Sequence, residues 1–150
     1  MKKAKAAELR RDNFLPGAIS ADGFLGADKR TVSDIIRTDE AEMERLGLSF
    51  EGVAASLGRL MKEGKRHLGG RAVIDRTFSV VVEETRGRLP CPFEDFHSAK
   101  STAVVTRLES GRALVFTDLS LHLLATHHFL QGRGSPFRLE PRELKDVLGL

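Results

Sequence analysis

The sequence predicts an α+β protein, with helices first, an antiparallel β-meander next, and a C-terminal helix packed on the sheet. Three observations carry this. Apolar residues recur three and four apart in two stretches between Val32 and Met61. Near residue 72 the pattern changes to β-branched runs, with Glu109-Ser110-Gly111 placed as a hairpin turn between two of them. Helical spacing then returns after Thr117-Asp118.

The elements follow in order. Residues 13–30 mix Pro, Gly and Asp with isolated apolar residues and read as an extended arm packed by Phe14, Leu15, Phe24 and Leu25. Val32, Ile35, Ile36, Met43 and Leu46 keep helical spacing, and Asp39-x-x-Glu42 has the composition of a capping box, which predicts a break near Thr38. Ser49 caps a second helix whose stripe is Phe50, Val53, Ala54, Leu57, Leu60 and Met61, with Gly64 as its stop. Thr77–Thr85 reads as a strand, Arg86-Gly87-Arg88 as a turn, and Leu89-Pro90-Cys91-Pro92 as chain excluded from a central strand. Thr102–Leu108 and Arg112–Phe116 form the hairpin arms. A helix capped by Thr117 or Asp118 runs to about Phe129, closed by Gly132, and Pro141 opens a last short helix.

A length of 150 residues predicts one domain with a real core, and residues 1–12 read as a flexible basic tail. Trp and Tyr are absent, so the nine Phe carry the aromatic packing. One cysteine excludes an intramolecular disulfide. No run approaches the roughly 20 apolar residues of a membrane span, and the basic start has no apolar stretch behind it, so a cytoplasmic address follows by elimination. A net charge of +3 is small for a protein dedicated to neutralising nucleic acid.

The chemistry concentrates in one region. Cys91 and all but one of the five histidines fall between residues 91 and 128, in CPFEDFH and TDLSLHLLATHHF. Thiol, imidazole and carboxylate bind metals and move protons near neutral pH. Asp118 and His122, four apart, share a helix face. His122 and His127 are five apart, about 140° around the axis, so a regular helix is expected to aim them in different directions. Cys91, His97, Asp118 and His122 are therefore the candidate metal ligands, with Zn the first guess for a mixed sulfur and nitrogen set. Shared ligation requires the Cys91 sulfur and the His122 ring within about 4 Å of each other. The bland alternative makes Cys91 a small buried hydrophobe, Asp118 a helix cap, His122 a packing residue, and His127 and His128 exposed polar edges. If a reaction occurs, metal-assisted hydrolysis is the expected class, because no cofactor fingerprint is visible.

Two further readings stand beside this one. Gly132, Gly134 and Ser135 can form an anion nest, with Arg133 and Arg138 clamping a small anionic ligand, or they can be a turn ahead of a proline. Leu46-Gly47-Leu48-Ser49, followed by Val53, Leu57, Leu60 and Gly64, resembles the second half of a winged helix-turn-helix. That resemblance implies DNA binding through Arg59, Lys62, Lys65 and Arg66, although Glu42 and Met43 depart from the family's pattern and residues 39–44 are acidic. The segments FLGADKR (24–30), RGRLPCPF (86–93), FTDLSLH (116–122) and GRGSPFRLEP (132–141) also resemble motifs of small uncharacterised bacterial proteins, which implies a self-contained domain and supplies no chemistry. A third reading is a non-catalytic interaction protein that forms a homo-oligomer through exposed Leu and Phe.

Overall fold

The computed structural model describes residues 12–150; the basic tail expected over residues 1–12 therefore lies, but for Asp12, outside the described residues. The fold is α+β. Helix α1 (Val32–Arg45) and helix α2 (Phe50–Lys65) lead into strands β1 (Ala72–Ile74), β2 (Phe78–Pro90), β3 (His97–Arg107) and β4 (Ala113–Thr117), followed by helix α3 (Asp118–His127) and helix α4 (Pro141–Leu148). The four strands form one antiparallel meander in sequence order. Alternate strand residues Ile74, Val80, Val82, Ala103, Val105, Leu114 and Phe116 turn to one face and pack with Val53, Leu57, Leu60, Leu124, Leu144 and Val147 from the helices. Helix α4 is thus held on the sheet, and the Arg107 guanidinium donates to the Val147 carbonyl at 3.0 Å.

Several boundaries differ from the sequence expectation, each for a local reason. Helix α1 runs unbroken from its Thr31 cap, because Asp39 is not a cap but a buried carboxylate paired with Arg138. Gly64 does not stop α2. It lies inside the helix where a Cβ would meet the Val80 and Val82 methyls at 2.7 Å, so it sets how closely α2 approaches β2. Arg86-Gly87-Arg88 is not a turn: β2 continues through it by a bulge between Thr85 and Arg88, with Gly87 at φ +102°. Pro90 is accommodated because β1 is short and pairs only with residues 78–80, which leaves the far end of β2 paired on one side alone.

The arm is a series of turns rather than extended chain, and Leu15 is exposed while Phe14, Phe24 and Leu25 are buried. Those three join Ile35, Cys91, Leu119, Leu123 and Phe129 in a second, smaller core under the start of α3. Helix α3 ends before Gly132. His128 takes the left-handed conformation at φ +54°, with its Nδ1 hydrogen-bonded to Glu40 at 2.8 Å and its ring stacked on Phe50 at 4.0 Å. No helix among the described residues is long and apolar enough to cross a membrane.

Candidate metal centre

The link between β2 and β3, residues 91–96, folds back over the C-terminal half of α3. Its shape is set by its own backbone: the Cys91 amide donates to the Phe96 carbonyl at 2.7 Å and the Glu94 amide to the Cys91 carbonyl at 2.8 Å, with Glu94 in the left-handed region at φ +65°. Asn13 ties the tip down from outside, donating to the Pro92 carbonyl at 3.1 Å and to Glu94 at 3.0 Å. Two aromatic stacks seat the loop on the helix. Phe93 lies on the His127 ring at 3.9 Å, and Phe96 lies on the His122 ring at 4.5 Å.

Asp95 projects between these stacks. One carboxylate oxygen meets His122 Nε2 at 3.1 Å and the other meets His127 Nε2 at 2.8 Å. Cys91 lies buried beneath and shares a hydrogen bond with Asp95. One donor atom from each of Cys91, Asp95, His122 and His127 falls within 4.8 Å of all the others.

The expectation that His122 and His127 cannot converge is therefore corrected. Backbone directions 140° apart do not fix where the rings end, since each imidazole reaches several ångströms beyond its Cα. Their ring centroids lie 5.3 Å apart, with Asp95 accepting from both sides. Nor is His127 an exposed polar edge: it is half-buried under Phe93.

The structure divides the four ligands expected from sequence. Cys91 and His122 come together, with Asp95 and His127 completing the group. Asp118 does not pair with His122; its carboxylate accepts from Lys65 Nζ at 3.1 Å and from the Ser101 amide at 2.8 Å. His97 pairs with Pro90 across the β2–β3 ladder. His97 and Asp118 line, with His122, Arg88 and Thr126, an open cleft of about 420 Å³ beside the cluster. Asp95 lay in plain view within CPFEDFH, and the signal that could have marked it is its position between two phenylalanines placed to stack on helix histidines.

The electrostatics of the cluster favour a neutral thiol beside an ionised carboxylate. Burial pushes the Cys91 thiol up from 9.0 to about 12, and the adjacent Asp95 carboxylate pushes it the same way. Burial works against ionisation of Asp95, but hydrogen bonds from Cys91, His122 and His127 outweigh it and hold the carboxyl well below the usual carboxylate range. Because the folded-state thiol pKa lies above its unfolded value, thiol burial stabilises the fold fully below about pH 8.5, and this contribution is lost as pH rises towards 12. The metal-free protein is expected to lose stability across that alkaline window, and Cys91→Ser, which keeps a hydrogen-bonding group with no thiol to ionise, is expected to flatten the loss. Urea midpoints from pH 7 to pH 11 measure both, and an unchanged slope in the variant would count against the buried thiol as the cause.

Of the remaining sequence candidates, Arg138, Arg59 and Lys65 are engaged elsewhere, and the side chains of Arg133, Lys62 and Arg66 are exposed. Arg138 bridges the buried Asp39 at 2.6 and 2.9 Å, Glu140 at 2.9 Å and the Gln131 carbonyl at 2.7 Å, so its guanidinium is taken up within the fold. The Arg133 amide donates to the protein's own Asp28 carboxylate at 3.2 Å, and its side chain faces solvent. Asp28 also binds Arg30, and that hydrogen bond, ahead of the Arg133 amide, holds its carboxyl well below the usual range against the effect of burial. On α2, Arg59 pairs with Asp75 at 2.8 Å and Lys65 with Asp118, while Lys62 and, at the helix C-cap, Arg66 are exposed.

With this geometry in hand, comparison with known proteins adds no family. No family model matches the chain, and neither a curated protein nor a solved structure matches it.

Proposed function

We propose that this protein binds a divalent transition-metal ion, with Zn²⁺ the best fit, through Cys91 Sγ, an Asp95 carboxylate oxygen, His122 Nε2 and His127 Nε2. The observation that carries this reading is the mutual approach of the four donor atoms within 4.8 Å. A tetrahedral ion with bonds of about 2.0–2.3 Å sets its donors roughly 3.3–3.8 Å apart, so the loop and helix close by about an ångström around it. The donor set of one thiolate, two imidazoles and one carboxylate suits borderline-soft Zn²⁺ and disfavours Mg²⁺ or Ca²⁺, which take oxygen shells.

A hydrogen-bonding partner for the far ring nitrogen of His122 supports the assignment. With Nε2 on the metal, His122 Nδ1 faces Thr126 Oγ1 at 3.4 Å. Four protein donors fill a tetrahedral shell, so the ion's role here is to clasp the 91–96 loop to α3 rather than to activate water. Binding displaces the thiol proton, and affinity therefore rises with pH.

Titration with Co²⁺ tests the proposal. The expected result is one equivalent bound with a thiolate-to-cobalt charge-transfer band, displaced by Zn²⁺. Cys91→Ser is expected to abolish the band. His122→Ala and His127→Ala are expected to weaken binding by more than the roughly 10- to 100-fold that a lost outer-shell partner costs, whereas His97→Ala leaves it unchanged. Absence of the band at stoichiometric Co²⁺ in the reduced protein would overturn the assignment.

A further inference from the structure

A second site lies apart from the metal cluster. A cavity of about 190 Å³ opens between the turn at residues 20–24, the loop at 131–137 and the paired ends of β2 and β3. None of the four metal-site residues lines it. Its apolar walls are Phe24, Leu89, Leu119, Pro136 and Phe137. A cavity on the order of 150 Å³ takes up benzene, so this space accommodates a ring with one polar substituent.

Two buried polar residues line this cavity, Ser101 and Gln131, and the larger is Gln131. The residue is only 2% exposed, and its carboxamide makes a single hydrogen bond, accepting from Ser135 Oγ at 2.6 Å. The other end of the carboxamide has no partner among the described residues. No described side-chain polar atom is both sealed from solvent and unpaired, so that free amide end opens onto accessible space, and the cavity is the space Gln131 lines. Gln131 also sits at φ +71°, a conformation glycine adopts freely, so the carboxamide is held there against a backbone cost.

A Cβ on Gly132 would lie 2.2 Å from the Leu25 carbonyl, and one on Gly26 within 2.5 Å of the 133–135 backbone, so the two loops lie in direct backbone contact. The Gly132 amide donates to the Phe24 carbonyl at 2.8 Å and the Ala27 amide to the Arg133 carbonyl at 3.1 Å. Lys100 also lines the cavity, exposed and without an ion pair among the described residues; Asp22 is the acidic group among the lining residues.

We propose that this cavity binds a small carboxylate with an apolar body, its ring or chain against Phe24, Leu119 and Phe137 and its carboxylate accepting from the Gln131 amide and Lys100. An apolar pocket with a few convergent polar groups is the usual form of a small-molecule site. The amide as oriented and the ammonium both call for an acceptor, and Lys100 adds the preference for a negative one. The site is independent of the metal reading.

Benzoate is the probe, titrated into the full chain while amide and side-chain NH₂ resonances are followed by NMR. A saturable shift of the Gln131 NH₂ and of the Phe24 and Phe137 amides is expected, with a dissociation constant of about a millimolar. Toluene, which lacks the acceptor, is expected to bind more weakly. Lys100→Met, a surface change that keeps the aliphatic stem, and Gln131→Leu are each expected to weaken benzoate roughly 5- to 10-fold, the worth of one hydrogen bond. No saturable shift up to about 50 mM, far beyond that millimolar range, would mean that water alone satisfies the carboxamide and would overturn the proposal. Unchanged benzoate affinity in Lys100→Met would overturn the carboxylate assignment, and this variant decides the matter if Gln131→Leu fails to fold.

Discussion

Arg138→Met is expected to destabilise the protein by about 3–5 kcal/mol, the range for removing one partner of a buried ion pair. Both side chains of the Arg138–Asp39 pair are nearly inaccessible, at 8% and 4% exposed. Burial works against the charge of Arg138, but hydrogen bonds to Asp39 and then Glu140 outweigh it and hold the guanidinium above its ordinary range. The variant leaves the Asp39 carboxylate inside the fold without its bidentate partner and strips the Gln131 carbonyl of a donor. The cost comes less from lost attraction than from the stranded charge. Asp39→Leu combined with Arg138→Met is therefore expected to recover much of the loss, since a well-packed apolar pair needs no desolvation of ions. Urea denaturation of the two single variants and the double variant measures this. A single variant within about 1 kcal/mol of the parent would show that the pair is not the link between α1 and the 131–140 loop that its geometry describes.

Phe14→Ala is expected to cost about 3–5 kcal/mol and to weaken metal binding as well. The ring is fully buried and meets three others edge-on: Phe24 at 6.1 Å, Phe93 at 5.0 Å and Phe129 at 5.1 Å. Its removal leaves a cavity and forfeits aromatic contacts worth about 0.5–1.5 kcal/mol each beyond burial. The second effect follows from Phe93. That ring meets Phe14 edge-on at 5.0 Å and stacks on His127, so Phe14 helps to position the 91–96 loop. Thermal unfolding reads the first effect and Co²⁺ titration the second. A Phe14→Leu variant, which refills most of the volume, separates them: it is expected to restore much of the stability and less of the Co²⁺ affinity. Unchanged affinity in Phe14→Ala would show that the loop's own hydrogen bonds suffice to hold it.

The second prediction has its cause in the arrangement of the smaller core. The arm at residues 12–30 is poor in regular structure, yet it supplies Phe14, Phe24 and Leu25 to the floor beneath α3 and one wall of the Gln131 cavity. The proposed metal site and the proposed carboxylate site thus lie on either side of one aromatic cluster. Large effects on stability and on binding are expected to converge there rather than in the larger core between sheet and helices.

The periodicities legible in the chain correspond to real elements. The stripe from Phe50 to Met61, the β-branched run at Thr77–Thr85, the Glu109-Ser110-Gly111 hairpin and the Pro141 helix start are local signals. Helix and strand periods are set by backbone geometry within a few residues, so the α+β class and the order of elements were readable from sequence. Boundaries misread at Asp39, Gly64 and Gly87 share a different origin. Each residue has a common local meaning, as cap, stop or turn, that a distant partner overrides: Arg138 for Asp39, the valines of β2 for Gly64, and the β3 ladder for Gly87.

The sequence by itself determined which residue types crowd into positions 91–128, and hence that any metal chemistry would be sought there. It did not determine which of them meet. That depended on a loop of six residues closing over a helix, on two Phe–His stacks that fixed its depth, and on rings that reached around the helix to a common carboxylate. Side-chain reach and loop placement arise from packing between segments far apart in sequence, and spacing along the chain carries no record of them. For that reason Asp95 and His127 joined Cys91 and His122 only in three dimensions, while Asp118 and His97 were drawn away to partners of their own.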